Sequence, residues 1–201
     1  MKLQIDVLRH GESELSAMLR GSTDDALTAV GWSQMAQTTA HSIQQQGPWQ
    51  AIFSSPLQRC RLFATSIAEQ YQLPIYLDPN LAEIHFGDWE GRSTQAIYDS
   101  SPELLSQFWQ QPSAYTPPNA EPFLQFHQRV LQAMAQIEQQ MQAEQLKRVL
   151  VVSHGGVIKL LKTIALELPL DSVLSQTAAL GQIHHFEYTA NRALQYCEQP
   201  R

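Results

Sequence analysis

The run Val149-Leu150-Val151-Val152 has no polar residue in four successive positions, and it stops abruptly at Ser153-His154-Gly155-Gly156. A strand points successive side chains to opposite faces, so this one is apolar on both. It is stable only at the centre of a sheet that carries a packed layer on each side. Helices elsewhere in the chain must supply those layers. With 201 residues, 43% of them hydrophobic, the chain is long enough to build one such core. We read residues 1–201 as a single domain, without internal repeats or an evident linker.

The remaining segments fit that demand. Leu3, Ile5 and Val7 alternate and Leu8 closes a first strand. Thr28 reads as a helix cap, the segment Ala29 to Gln46 has helical composition, and Gly47-Pro48 stops it. A brief strand at Ala51, Ile52 and Phe53 runs into Ser54-Ser55-Pro56, where serine is placed to cap a helix over 57–70. Pro74 to Leu77 forms a third short strand. Residues 92–120 hold scattered aromatics broken by Pro112, Pro117 and Pro118, and read as an excursion covering one end of the sheet. A long helix follows from Phe123 to Met141, another from Val157 to Glu167, and late strands at Ile183 to Tyr188 and Ala193 to Cys197 are joined through Ala190-Asn191. Strands alternating with helices predict a three-layer α/β fold.

Charge narrows the partners. Nineteen acidic residues against 13 basic ones leave a net charge of -6, which disfavours nucleic acid or an anionic membrane surface. Any anion must therefore be held by a local cluster. No apolar run approaches a membrane span, and the N-terminus does not have the pattern of a signal peptide. Two cysteines, Cys60 and Cys197, are too few and too far apart for a disulfide framework or structural zinc. These features predict a cytoplasmic protein, monomeric or homodimeric.

In open α/β sheets ligands bind beyond the carboxyl ends of the strands. Three such ends bear reactive or cationic groups here: Arg9 and His10 after the first strand, Arg59 in the helix after the second, and His154 with two glycines after the apolar run. Guanidinium forks match phosphate oxygens and stay charged when desolvated. A neutral imidazole can attack phosphorus while a second steadies the equatorial oxygens. Gly11, Gly155 and Gly156 let backbone come close to the anion. For the proton delivered to the ester oxygen, Glu83 is the first candidate and Asp88 and Glu90 are its rivals. Each residue taken alone also has a plainer reading, as a surface pair, a solvated helix arginine or a buried histidine bonded to backbone.

Taken together, four blocks resemble the histidine phosphatase superfamily, the group that includes the cofactor-dependent phosphoglycerate mutases. They are Leu8 to Ser13 (Leu-Arg-His-Gly-Glu-Ser), the Ser54-to-Ala64 segment, Leu81 to Gly91, and Val151 to Gly156, in family order. The resemblance implies a phosphoglycerate mutase-like α/β/α sandwich with a mixed, mostly parallel sheet and an antiparallel edge strand. It implies a phosphohistidine mechanism in which His10 is the nucleophile, Arg9, Arg59 and His154 hold the phosphoryl group, and Glu83 protonates the leaving oxygen; Ser16 and Gly155 are read as further phosphate contacts. No metal and no cofactor are implied, and the partner is a small phosphate ester.

Within the family the chain is most similar to the alpha-ribazole phosphatase branch, through Cys60 to Ala64, Phe86 to Gly91 and Asn119 to Phe123. That branch implies hydrolysis of alpha-ribazole 5'-phosphate in cobalamin assembly. A broad phosphatase on sugar or glycolytic phosphates, a mutase, and a non-catalytic phosphate-binding domain are the alternatives. Trp89, Tyr98, Trp109 and Tyr115 are candidate stacking surface for a nucleoside leaving group. One departure stands out. The family often has asparagine six positions after the nucleophile, whereas this chain has Ser16, whose shorter reach predicts weaker phosphoryl binding. An unchanged rate and apparent affinity in Ser16→Ala would contradict that expectation.

Overall fold

The computed structural model describes residues 2–189 and 193–198. At its centre is the strand that the apolar run anticipates, β4 (Arg148–Ser153), with every residue buried. It lies between β1 (Leu3–Arg9) and β2 (Ile52–Ser54), parallel to both. β3 (Ile75–Leu77) continues the parallel part beyond β2, while β5 (Ile183–Tyr188) pairs antiparallel with β1 and β6 (Leu194–Cys197) pairs antiparallel with β5. The strand order is β3-β2-β4-β1-β5-β6. The sheet is thus mixed and mostly parallel, as expected, with β5 the strand that runs against the others.

Side-chain parity sorts the core. Leu3, Ile5 and Val7 of β1, with Val149 and Val151 of β4, face α5 (Phe123–Ala143) and α6 (Gly155–Ala165). Leu8, Ile52, Leu150 and Val152 face the other way, onto α1 (Ala29–Gln46) and α2 (Gln58–Tyr71). α5 meets the sheet through Phe126, Val130, Met134, Ile137 and Met141, whose spacing of three and four makes one helical stripe. α1 starts where predicted, with the Thr28 hydroxyl accepting from the Gly31 N–H at 3.0 Å. The result is helix, sheet, helix.

One buried carboxylate interrupts the α1 side. Asp6, fully buried on β1, accepts from Trp49 Nε1 at 2.7 Å, Arg148 Nε at 2.9 Å and His185 Nδ1 at 2.7 Å. Burial alone would raise its pKa, but the hydrogen bond from His185 and the Arg148 charge outweigh that and hold it below the ordinary carboxylate value. This network ties β1, β4, β5 and the end of α1 together, three residues before Arg9.

The structure corrects several expected boundaries. Ser55 does not cap α2: Leu57 occupies the cap position without a side-chain bond, and the Ser55 hydroxyl is engaged elsewhere. α6 begins two residues earlier than predicted, because Gly155 and Gly156 form its first turn instead of a break before it. The 92–120 segment contains α3 (Thr94–Ser100) and α4 (Pro102–Gln110), packed through Ile97, Leu105 and Phe108 onto Trp89 as a small separate core. The predicted joint at Ala190-Asn191 lies outside the described residues. No helix among the described residues is long and apolar enough to cross a membrane.

Candidate active site

The parallel pairing of β1 with β4 sets Arg9 opposite Ser153, and the His10 N–H donates to the Ser153 carbonyl at 3.0 Å. The two following histidines are therefore neighbours, with ring centroids 5.3 Å apart and planes at 62°. β2 ends beside them, so Ser55 comes within 2.7 Å of His154 Nε2. Three separate strand ends converge because the sheet order places β2, β4 and β1 side by side.

The tautomers follow from the partners. His10 Nδ1 lies 2.8 Å from the carbonyl oxygen of Gly11, which can only accept. Nδ1 therefore carries the proton and Nε2 keeps its lone pair. Burial, then the Arg59 charge, push the pKa of His10 well below its ordinary 6.5, against the Gly11 bond that raises it. Burial and Arg59 act on His154 in the same direction. Both imidazoles are neutral near pH 7.

A cavity of about 240 Å³ opens at this point, lined at one end by Arg9, His10, Ser16, Arg20, Glu83, Gly155 and Gly156. Glu83 is half-buried, and its Oε2 accepts from the Gly156 N–H at 2.9 Å. A Cβ at Gly156 would stand 2.2 Å from Glu83 Oε1, so only glycine admits the carboxylate there. Gly155 likewise gives room to the Arg9 guanidinium, 3.1 Å from where its Cβ would be. Gly11 serves another purpose than the one expected: a Cβ there would meet the Gly31 carbonyl at 2.2 Å, so this glycine lets α1 pack against the β1 loop.

Arg59 and His154 stand behind this lining, both fully buried. The Arg59 guanidinium donates to the carbonyls of Thr23 at 2.6 Å and Gly21 at 2.8 Å, and to Asp25 at 3.1 Å. Ser16 lines the cavity, with its hydroxyl accepting from the Ser13 N–H at 2.8 Å. The rivals of Glu83 are removed by their geometry. Glu90 accepts from the N–H groups of Gly21 and Phe86, both at 2.9 Å; burial raises its pKa, but these bonds and one from Thr23 prevail and keep it ionised. Asp88 is exposed and accepts from Asn119 Nδ2 at 2.9 Å.

The four candidate aromatics separate. Trp89 is buried beneath Phe108, 5.6 Å from it edge to face. Tyr98 is exposed beside Pro102 and Glu103 in a different, shallow depression, and Tyr115 lines neither. Only Trp109 reaches the cavity, joined there by Phe86, Phe108, Phe123 and Phe126. Spacing alone does not separate a packing aromatic from a lining one.

Four functional positions escaped the sequence reading. Arg20 lines the cavity beside His10, its side chain almost buried, with Nε 3.2 Å from Asp25 and Nη1 donating to the Leu15 carbonyl at 3.0 Å. Asp25 thus braces both Arg20 and Arg59. Arg129 of α5 donates to the carbonyls of Asn80, Ala82 and Glu83 at 2.7–2.9 Å and to Glu121 at 2.6 Å, which pins the backbone carrying Glu83. Lys159 is the fourth. Polar residues in loops and on helix faces carry no periodic signal that would reveal them.

Cys60 is fully buried, 3.6 Å from His154 Nε2. Burial pushes its thiol pKa strongly up despite Arg59, opposite to the lowering its arginine neighbours suggest, and it is an inert core residue. His185 pairs with Asp6, and His85 with Ser22 and Glu90 at 2.8 and 3.2 Å. Among the described residues no cluster of three metal-ligating side chains forms.

This fold gathers paired imidazoles and guanidiniums at its strand ends, an arrangement suited to holding a phosphoryl group. The chain belongs to the histidine phosphatase superfamily (branch 1), whose family model matches residues 5–196. The bifunctional protein Rv2228c of Mycobacterium tuberculosis is 35% identical over 80% of this chain, which spans only 43% of that longer protein. An adenosylcobalamin/alpha-ribazole phosphatase of Escherichia coli is 29% identical over 85% of the chain and 83% of its own length. Among solved structures, the alpha-ribazole phosphatase of Shigella flexneri superposes with a TM-score of 0.81 at 25% identity, covering 97% of this chain and 95% of that one. YhfR of Bacillus stearothermophilus gives 0.83 at 29% identity, over 97% and 94%.

Proposed function

We propose that this phosphatase works through a phosphohistidine on His10 and that its substrate is alpha-ribazole 5'-phosphate. The observation that carries the mechanism is the His10 tautomer. A lone pair on Nε2, at the wall of a cavity rich in guanidinium groups, is the requirement for attack on phosphorus. The Nε2–P bond forms as the P–O ester bond breaks, and the departing electron pair on oxygen takes the proton of the Glu83 carboxyl group. Water then attacks the phosphohistidine. Glu83, now a carboxylate, accepts its proton, and the N–P bond breaks to restore the imidazole.

Arg9 and Arg20 face the phosphoryl oxygens, with Ser16 and the N-terminus of α6 beside them. Arg59 and His154 add charge and a hydrogen-bond donor from behind. The Ser55 hydroxyl, 2.7 Å from His154 Nε2, can donate to it, and in the proposed mechanism that leaves Nδ1–H as the donor. The ribazole assignment is supported by relatives of that name matched over 83% and 95% of their own length and by a cavity whose far wall is aromatic. Of the four aromatics named from sequence, Trp109 alone keeps a role in leaving-group contact. Reaction in the cytoplasm, away from nucleic acid and membrane, completes the reading.

The experiment is phosphate release from alpha-ribazole 5'-phosphate beside nucleotide, sugar and glycerate phosphates, with Glu83→Gln alongside wild type. We expect the ribazole ester to be preferred. Glu83→Gln should lose about 10²–10⁴-fold in kcat/KM, which reports only the steps through departure of the leaving group, on alkyl esters, and much less on an aryl ester whose leaving group needs no proton. Even turnover across the panel would remove the substrate assignment. An equal loss on alkyl and aryl esters would remove the acid role.

A further inference from the structure

Away from His10 and Glu83 the cavity wall is apolar, formed by Phe86, Phe108, Trp109 and Leu174. One side chain in this wall is cationic. Lys159 lies three and four residues beyond Gly156 and Gly155 on α6, so the helical period puts it on the same face as those glycines. It is half-buried, lines the cavity, and has three donors, for which the structure records one long bond of 3.5 Å to the Leu174 carbonyl. Leu174 in turn packs on the small core of Trp89 and Phe108. The ammonium therefore stands between the phosphate end of α6 and the aromatic wall.

Its neighbour one turn on makes a useful contrast. Lys162 is buried, its Nζ 3.0 Å from the Thr177 carbonyl and 4.8 Å from the Tyr196 ring centroid. That lysine is structurally satisfied. Lys159 is not: burial and the nearby Arg9 charge pull its pKa down while Glu83 raises it. An ammonium held in an apolar wall beside another cation gains most from an incoming acceptor.

We infer that Lys159 is a specificity-determining residue that donates to an oxygen acceptor on the leaving group. The preferred substrate is a small monoester whose leaving group joins an apolar or aromatic body to hydroxyl or carboxylate oxygens. The inference rests on the reading of this cavity as the ester site. Arg9, Arg20 and His10 serve the phosphate, and Lys159 serves the other end.

The test compares kcat/KM of wild type, Lys159→Met and Lys159→Gln on three esters. These are phenyl phosphate, whose leaving group carries no oxygen acceptor beyond the ester oxygen, alpha-ribazole 5'-phosphate, which brings hydroxyls, and 3-phosphoglycerate, which brings a carboxylate. Relative to the aryl ester, an acceptor-bearing ester should lose about tenfold in Lys159→Met and less in Lys159→Gln, whose amide can still donate, mostly through KM. Loss confined to the ribazole ester identifies hydroxyls as the acceptor, and loss confined to phosphoglycerate identifies the carboxylate. Ratios unchanged within about twofold for both esters overturn the inference, since a lysine that only covers the wall with its stem would give that result. Turnover of the aryl ester reports that each variant is folded. Wild type inert on all three esters would remove the underlying reading instead, an outcome distinct from unchanged ratios.

Discussion

Replacing His10 by alanine is expected to lower kcat by at least about 10⁴-fold on every phosphate ester, including those with good leaving groups. In the proposed mechanism this imidazole forms the covalent bond, and among the described residues no other histidine lines the cavity. His154, the adjacent imidazole, is fully buried and bonded to Ser55. Rapid acid-free quenching of wild type with a labelled ester should trap label on His10, and the variant should trap none. A residual rate within about tenfold of wild type would sink the phosphohistidine mechanism.

The same geometry predicts a pH dependence. Burial, the Arg59 charge and Arg9 favour the neutral form of His10. A nucleophile whose pKa is lowered is active at every pH above that value and is lost as pH falls through it. The acid limb of kcat/KM, which reports the free enzyme, should therefore lie below the ordinary histidine value of 6.5. A limb centred above 7 would contradict the neutral nucleophile.

Asp6→Ala is expected to destabilise the protein by about 3–5 kcal/mol, because it strips a buried partner from Arg148 and removes the acceptor of Trp49 and His185. That is a large fraction of the 5–15 kcal/mol typical of a whole domain. Urea unfolding at neutral pH measures it, and a loss below about 1 kcal/mol would show the network to be dispensable. Because Asp6 has a folded pKa below its ordinary 3.8, the stability it contributes is complete above that value and disappears as pH falls through the folded pKa. The difference between wild type and variant should therefore shrink in acid. At temperatures where Asp6→Ala stays folded, its kcat should match wild type, since the network lies at the far side of β1 from the cavity.

Much of the architecture was legible before any coordinates. The apolar β4 demanded two covering layers, Thr28 and Gly47 delimited α1, and the strand ends carried Arg9, His10, Arg59 and His154. Glu83 was one of three carboxylates that the residues alone left open, and what separates it from Glu90 is the bonding around each. Glu90 is consumed by backbone N–H groups of the Gly21 loop, whereas Glu83 meets α6 at a glycine. The aromatics were the least legible, because Trp89 and Trp109 have the same chemistry and differ only in what packs over them.

The sequence by itself determined most of the strands and the long helices, which of their faces are apolar, and which reactive groups follow the strands, since those follow from local periodicity and capping. Only the tertiary structure decided that β2, β4 and β1 lie side by side and that Arg20, Asp25, Arg129 and Lys159 converge on their ends. Those positions depend on pairings between segments more than 100 residues apart, such as β1 with β4. A polar side chain in a loop gains its role only from the neighbours that such pairing brings to it.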